Sequence, residues 1–118
     1  MLYALLCYND ENVTSAWSKE EDDAVMERLG KVQKALAAQG RLGPVARLVP
    51  TTAATTLRKT GAEALVIDGP FAETKEQLLG FVMLEAETLD EALEIAGGFP
   101  IAEWGSIEVR PVYDVPGR

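Results

Sequence analysis

Two stretches of this chain, Leu2 to Cys7 and Leu78 to Leu84, are apolar at odd and even positions alike. Leu2, Ala4 and Leu6 alternate with Tyr3, Leu5 and Cys7, and Phe81 and Met83 alternate with Val82 and Leu84. Successive side chains of a strand point to opposite faces, so an antiparallel strand with one wet face alternates apolar with polar. Strands apolar on both faces need cover on both. The elements around them decide what can supply it.

Taken in order, Leu2 to Tyr8 reads as the first strand and Asn9 to Trp17 as a polar loop. Ser18 followed by Glu21 is a capping box, and Glu20, Glu21, Asp22 and Asp23 crowd the first turn, where the helix dipole favours acids. Val25, Leu29, Val32 and Leu36 form one helical stripe, and Gly40 ends it. Arg41 to Val49 reads as a strand. Thr55 to Arg58 and Ala64 to Ile67 form a hairpin around Lys59-Thr60-Gly61. Leu78 to Glu85 is a further strand. Thr88 and Glu91 make a second capping box, opening a helix that Gly97-Gly98 stops. Ser106 to Val112 is the last strand, and Pro116-Gly117-Arg118 a tail.

With the hairpin set aside, the order is strand, helix, strand, strand, helix, strand. That is the ferredoxin-like α+β order, an antiparallel sheet with both helices on one face. A chain of 118 residues with no linker or repeat reads as a single domain, residues 1–118. Helices on one face leave the two-sided strands half covered. The same face of a second copy, related by a two-fold axis, supplies the rest in a homodimer. The alternative is the hairpin folded over the open face of its own sheet.

Several function classes drop out. Eleven Lys and Arg against nineteen Asp and Glu give a net charge of −8, which repels phosphate backbones, so no nucleic-acid partner is expected. There is no histidine, which removes the Ser-His-Asp and Cys-His triads and nearly every zinc, copper or haem site. No metal and no cofactor are expected. The single cysteine, Cys7, forms no internal disulfide and reads as a small buried hydrophobe. The run Leu2 to Cys7 has no basic segment before it and is too short for a signal or membrane helix, so the expectation is a cytoplasmic chain without a membrane partner.

The stretch Asp68-Gly69-Pro70-Phe71-Ala72-Glu73-Thr74-Lys75-Glu76 joins two apolar strands through a charged, rigid turn, a place where a site can be mounted. Asp68 has two readings. Its carboxylate accepts backbone N–H bonds and fastens the turn, or it sits at a cavity mouth as a general base. Arg58, Glu73, Lys75 and Arg110 are the candidate substrate-binding residues: a solvated ion-pair cluster on one reading, cations that hold a small anionic ligand on the other. Charges on inward strands would line a cavity, and charges on an edge strand would discourage aggregation. Tyr3, Tyr8, Trp17 and Trp104 stack on a ligand or anchor the core.

The words DGPFAETKEQ, with Gly80-Phe81 five residues beyond Lys75, resemble the YCII-related proteins that carry the DGPF motif. The resemblance extends from MLYALLCYND through Trp17-Ser18 and Ala54 to Arg58, and closes with Ile107 to Val112. It implies a dimeric α+β barrel, in which two ferredoxin-like sheets pack face to face. Members of the wider superfamily include muconolactone-isomerase-like and dehalogenating enzymes, and YCII relatives are suspected of using a histidine–aspartate pair. DGPF members resemble accessory proteins of extracytoplasmic-function sigma factors. Many relatives carry a histidine before the proline that precedes the last strand; here Phe99-Pro100-Ile101 stands there, so of the pair only Asp68 carries over. The resemblance therefore implies a homodimeric module that binds a small ligand or accompanies a sigma factor. The alternative is a cofactor-independent isomerase or lyase with Asp68 as acid and base.

Overall fold

The computed structural model describes residues 1–113; the Pro116-Gly117-Arg118 tail lies outside them. The elements in chain order are β1 (Leu2–Asn9), α1 (Glu11–Ser15), α2 (Lys19–Ala38), β2 (Leu42–Arg47), β3 (Thr55–Thr60), β4 (Glu63–Asp68), β5 (Gln77–Glu85), α3 (Leu89–Ala96) and β6 (Ser106–Pro111). Short 3-10 turns lie at Thr51–Ala53 and Pro100–Glu103. Four strands form one antiparallel sheet in the order β2-β5-β1-β6, and β3 and β4 form a separate two-stranded hairpin. With the hairpin omitted, this is the expected ferredoxin-like order.

The caps behave as their chemistry requires, with one exception. Ser18 accepts from the Glu21 N–H at 3.1 Å and the Glu21 carboxylate accepts from the Ser18 N–H, a complete capping box at α2. At α3 only half of the box forms. Thr88 accepts from the Glu91 N–H, but the Glu91 carboxylate accepts from the Glu87 N–H instead and pairs with Arg41 at 2.8 Å. A strong cation within reach draws the carboxylate into a charge-assisted pair. The segment read as a polar loop contains the five-residue α1, capped by Asp10; a single turn has too few apolar residues to show a period.

The two sides of the sheet differ as the sequence requires. Tyr3, Leu5, Val82 and Leu84 point to the helical side and form the core with Leu36, Ala92, Ala96, Phe99 and Ile101. Their neighbours Ala4, Leu6, Phe81 and Met83 meet across β1 and β5 on the opposite face, where they are only half-buried. The hairpin does not cover that face. Every residue of β3 and β4 is exposed except Thr56, which is half-buried. The internal lid is therefore not what this chain builds. Its dimensions are 47 × 44 × 20 Å, and about 20 Å is the depth of one sheet and one helical layer.

Candidate functional site

The residues singled out in the sequence scatter. In the hairpin, Thr55 pairs with Asp68, Leu57 with Val66 and Arg58 with Leu65. Side chains alternate along a strand, so Asp68 shares a face with Leu57 and Val66, and Arg58 lies on the other. Glu73 and Lys75 sit in the exposed connection to β5. Arg110 lies on edge strand β6 beside Ala4, on the open face of the main sheet. Among the described residues, none of the five takes part in an ion pair. No substrate cradle assembles from them among the described residues.

The turn at Asp68 is held by other atoms. The Gly69 N–H donates to the Ala54 carbonyl at 2.7 Å, and the Thr56 hydroxyl donates to the Gly69 carbonyl at 2.8 Å. Gly69 has φ +97°, a conformation that only glycine adopts without strain. Among the described residues the Asp68 carboxylate accepts no hydrogen bond, so the turn is fastened from the β3 side.

The concave site lies elsewhere. A cavity of about 650 Å³ opens between α2 and the β2–β5 half of the sheet. Met26 and Leu29 line it from α2, Val45 from β2, and Cys7 and Val82 from the sheet. Trp17 and Trp104 complete it, meeting edge to face with centroids 4.8 Å apart, an arrangement aromatic quadrupoles favour. Phe99 and Pro100 line it as well. The segment Phe99-Pro100 thus faces this cavity, and the Phe99 ring is 2% exposed.

The polar groups around the cavity are largely committed to protein partners. The Glu11 carboxylate accepts from the Thr51 N–H at 2.9 Å and from the Thr51 hydroxyl, while the Glu11 N–H donates to the Gln77 side chain at 2.9 Å. These bonds tie α1 to the turn after β2 and to the start of β5. Arg47 forks onto Asp22, at 2.7 and 3.1 Å. The guanidinium bond holds the Asp22 carboxyl below its ordinary range, and its partner raises Arg47. Burial pushes the Cys7 thiol up to about 11, which leaves it neutral and unreactive at ordinary pH. Among the described residues no group of three His, Cys, Asp or Glu side chains could hold a metal ion, and no helix is long and apolar enough to cross a membrane.

Sequence reasoning reached Trp17 and Trp104 only as two of several aromatics. Their convergence depends on a short helix and a 3-10 turn that leave no periodic signal. The paired α2 stripe and two-sided β5 were visible, but not the gap between them.

An α+β fold with a four-stranded antiparallel sheet, a projecting hairpin and a helix-side cavity defines the class. A family model, the YCII-related domain, matches residues 1–116. The chain is 62% identical over 114 residues to an uncharacterized protein of Rhizobium meliloti (strain 1021), covering 95% of this chain and 92% of that one. The chain belongs to the YCII-related domain family.

Proposed function

We propose that this chain is a ligand-binding module that works as a pair of copies and takes a largely apolar small molecule into the helix-side cavity. The observation that carries the reading is the cavity's chemistry: a volume in the range of small-molecule sites, walls of aromatic and aliphatic side chains, and rim charges already paired. Arg47 is the one cation lining it among the described residues, and it is bound to Asp22. This moves the expected ligand from a small anion to a neutral or weakly polar body. Catalysis by Asp68 finds no support, since Asp68 is not among the lining residues. An accessory role beside a sigma factor needs no chemistry at Asp68 either, and the ligand would then serve as its signal. Pairing is supported by the half-buried apolar face opposite the helices, which a second copy would cover.

The chain has two tryptophans, and both line the cavity, so tryptophan emission, excited selectively over tyrosine, reports on this site. Camphor, a neutral apolar probe, is expected to change the emission and raise the melting temperature, because a ligand that binds only the native state stabilises it. Camphorate, its dianionic counterpart, is expected to do neither. Val45→Phe, which fills the cavity, is expected to abolish the camphor response, and Arg58→Ala and Lys75→Ala to leave it intact. A response to camphorate alone, lost in Arg58→Ala or Lys75→Ala, would overturn this reading and return the site to the hairpin loop.

A further inference from the structure

We propose that the β3–β4 hairpin and the Asp68–Glu76 connection form an arm that lies on a second copy of this chain, so that the motif carried by Asp68-Gly69-Pro70-Phe71 serves assembly rather than chemistry. This rests on the two-copy reading above and goes further, since it says which segment reaches across.

The hairpin is built like an interface. Leu57 and Val66 share one face and are 65% and 64% exposed; Leu65 and Ile67 share the other. Phe71, just beyond the turn, is 75% exposed. A two-stranded hairpin wet on both sides is marginal by itself, and large apolar side chains on both of its faces call for cover on both. Among the described residues its own body offers little, since β3 and β4 pair only with each other and these side chains stay exposed.

Size makes the arm a substantial addition to a pair of sheets. Four strands about 4.8 Å apart and about six residues long at about 3.3 Å each present a face of roughly 400 Å² in projection. A stable pair buries about 800 Å² on each partner. The hairpin, about 10 Å wide and 20 Å long with two apolar faces, adds roughly 400 Å². The arm thus offers a face about as large as the open sheet itself.

Shape and charge select a second copy as the occupant. The radius of gyration is 16.3 Å, against about 13.5 Å expected for a chain of this length; the excess reflects a projecting arm. One copy is 20 Å thick, so two copies stacked on their open faces would measure about 40 Å, matching their other dimensions. The body is strongly acidic, with the whole chain at −8. Residues 55–76, in contrast, carry Arg58, Lys59 and Lys75 against Glu63, Asp68, Glu73 and Glu76, a net charge of only −1, so the arm can approach an acidic copy of this chain with little repulsion. An arm that leaves one copy for the other under two-fold symmetry is met by the partner's arm in return, which closes the assembly.

Sedimentation equilibrium on the full chain tests this with three variants. Wild type is expected to be a dimer. Leu57→Glu with Val66→Glu is expected to raise the dimer dissociation constant by about 100-fold or more, as the loss of central apolar anchors does. Leu93→Glu, at an exposed apolar position on α3, is expected to leave it unchanged. Circular dichroism confirms that each variant is folded. If the hairpin variant stays dimeric while Leu6→Glu on the open sheet face dissociates, the pair exists and the arm is refuted. A monomeric wild type refutes arm and pair together, while leaving the cavity reading to its own fluorescence test.

Discussion

Arg47 and Asp22 form a two-pronged ion pair that ties the end of β2 to the first turn of α2, with nitrogen-to-oxygen distances of 2.7 and 3.1 Å. The pair stands at the rim of the cavity, and Arg47 is part of its lining. It does two things at once. It removes a lining cation from reach of a ligand, and it closes the helix against the edge strand.

The pair makes a pH prediction with a definite sign. Asp22 has a folded pKa held below its ordinary value of 3.8, so its contribution to stability is present above that value and is lost as the pH falls through the lowered one. Both side chains are partly exposed, which limits the pair to about 1 kcal/mol or less. Asp22→Asn is expected to lose that amount at neutral pH and to lose nothing further on acidification from this site. Urea midpoints at pH 7 and pH 3 for wild type and variant measure the difference. An Asn variant that loses as much stability to acid as wild type does would show that the pair is not the cause.

Cys7 gives the opposite sign at the other end of the scale. Its folded pKa is raised from 9.0 to about 11. The stability linked to it is therefore complete below pH 9.0 and is lost as the pH rises towards the folded value. Cys7→Ala is expected to lessen the alkaline loss of stability. At pH 8 the thiolate is scarce, so alkylation by iodoacetamide is expected to be about 100-fold slower in the native protein than in denaturant. Camphor in the cavity is expected to slow it further. Alkylation at the same rate in both states would place the thiol in solvent.

Much of the fold was legible because a few residues dominate it. The alternation failure at Leu2 to Cys7 and Leu78 to Leu84 marked β1 and β5, the two central strands of the sheet, and Ser18 with Glu21 marked the start of α2 to the residue. The register was not legible. Asp68 and Arg58 are ten residues apart in the chain, and only the pairing of Thr55 with Asp68 shows that they lie on opposite faces. A one-residue slip would have put them together. The cavity was invisible for a different reason. It is an absence of atoms between elements that were each recognised, and its polar rim depends on contacts 25 to 66 residues apart in the chain.

Two glycines should respond oppositely to alanine. A Cβ at Gly80 would come 2.4 Å from the Ala46 carbonyl oxygen and 3.2 Å from the Arg47 Cα, both backbone atoms of the neighbouring strand. The strands must move apart, at an expected cost of about 1–3 kcal/mol. Gly30 lies inside α2, and a Cβ there would meet nothing within 4 Å. Gly30→Ala is expected to stabilise by about 0.5–1 kcal/mol through helix propensity. Thermal midpoints that move in the same direction would contradict the close approach of β2 to β5.

The last prediction separates the turn from the motif's acid. The Thr56 hydroxyl bond to the Gly69 carbonyl, 2.8 Å long, closes the base of the hairpin, and Thr56 is the one hairpin strand residue that is not fully exposed. Thr56→Val keeps the shape and β-branching and removes the donor. It is expected to cost about 1 kcal/mol. On the turn-fastening reading of the sequence, Asp68 accepts the turn's N–H groups, which orders stability as wild type above Asp68→Asn above Asp68→Ala. Since Thr56, Ala54 and Gly69 carry those bonds instead, both Asp68 variants are expected to fall within about 0.5 kcal/mol of wild type, as exposed substitutions usually do. A carboxylate acting as base in an apolar cavity predicts a third pattern: Asp68→Asn becomes more stable than wild type, because removing the charge relieves its desolvation. Denaturant midpoints of the four proteins at neutral pH distinguish all three. If Asp68→Asn proves clearly more stable while Thr56→Val is silent, the acid is desolvated, the turn is not held as described, and the hairpin loop again becomes the place to look for chemistry.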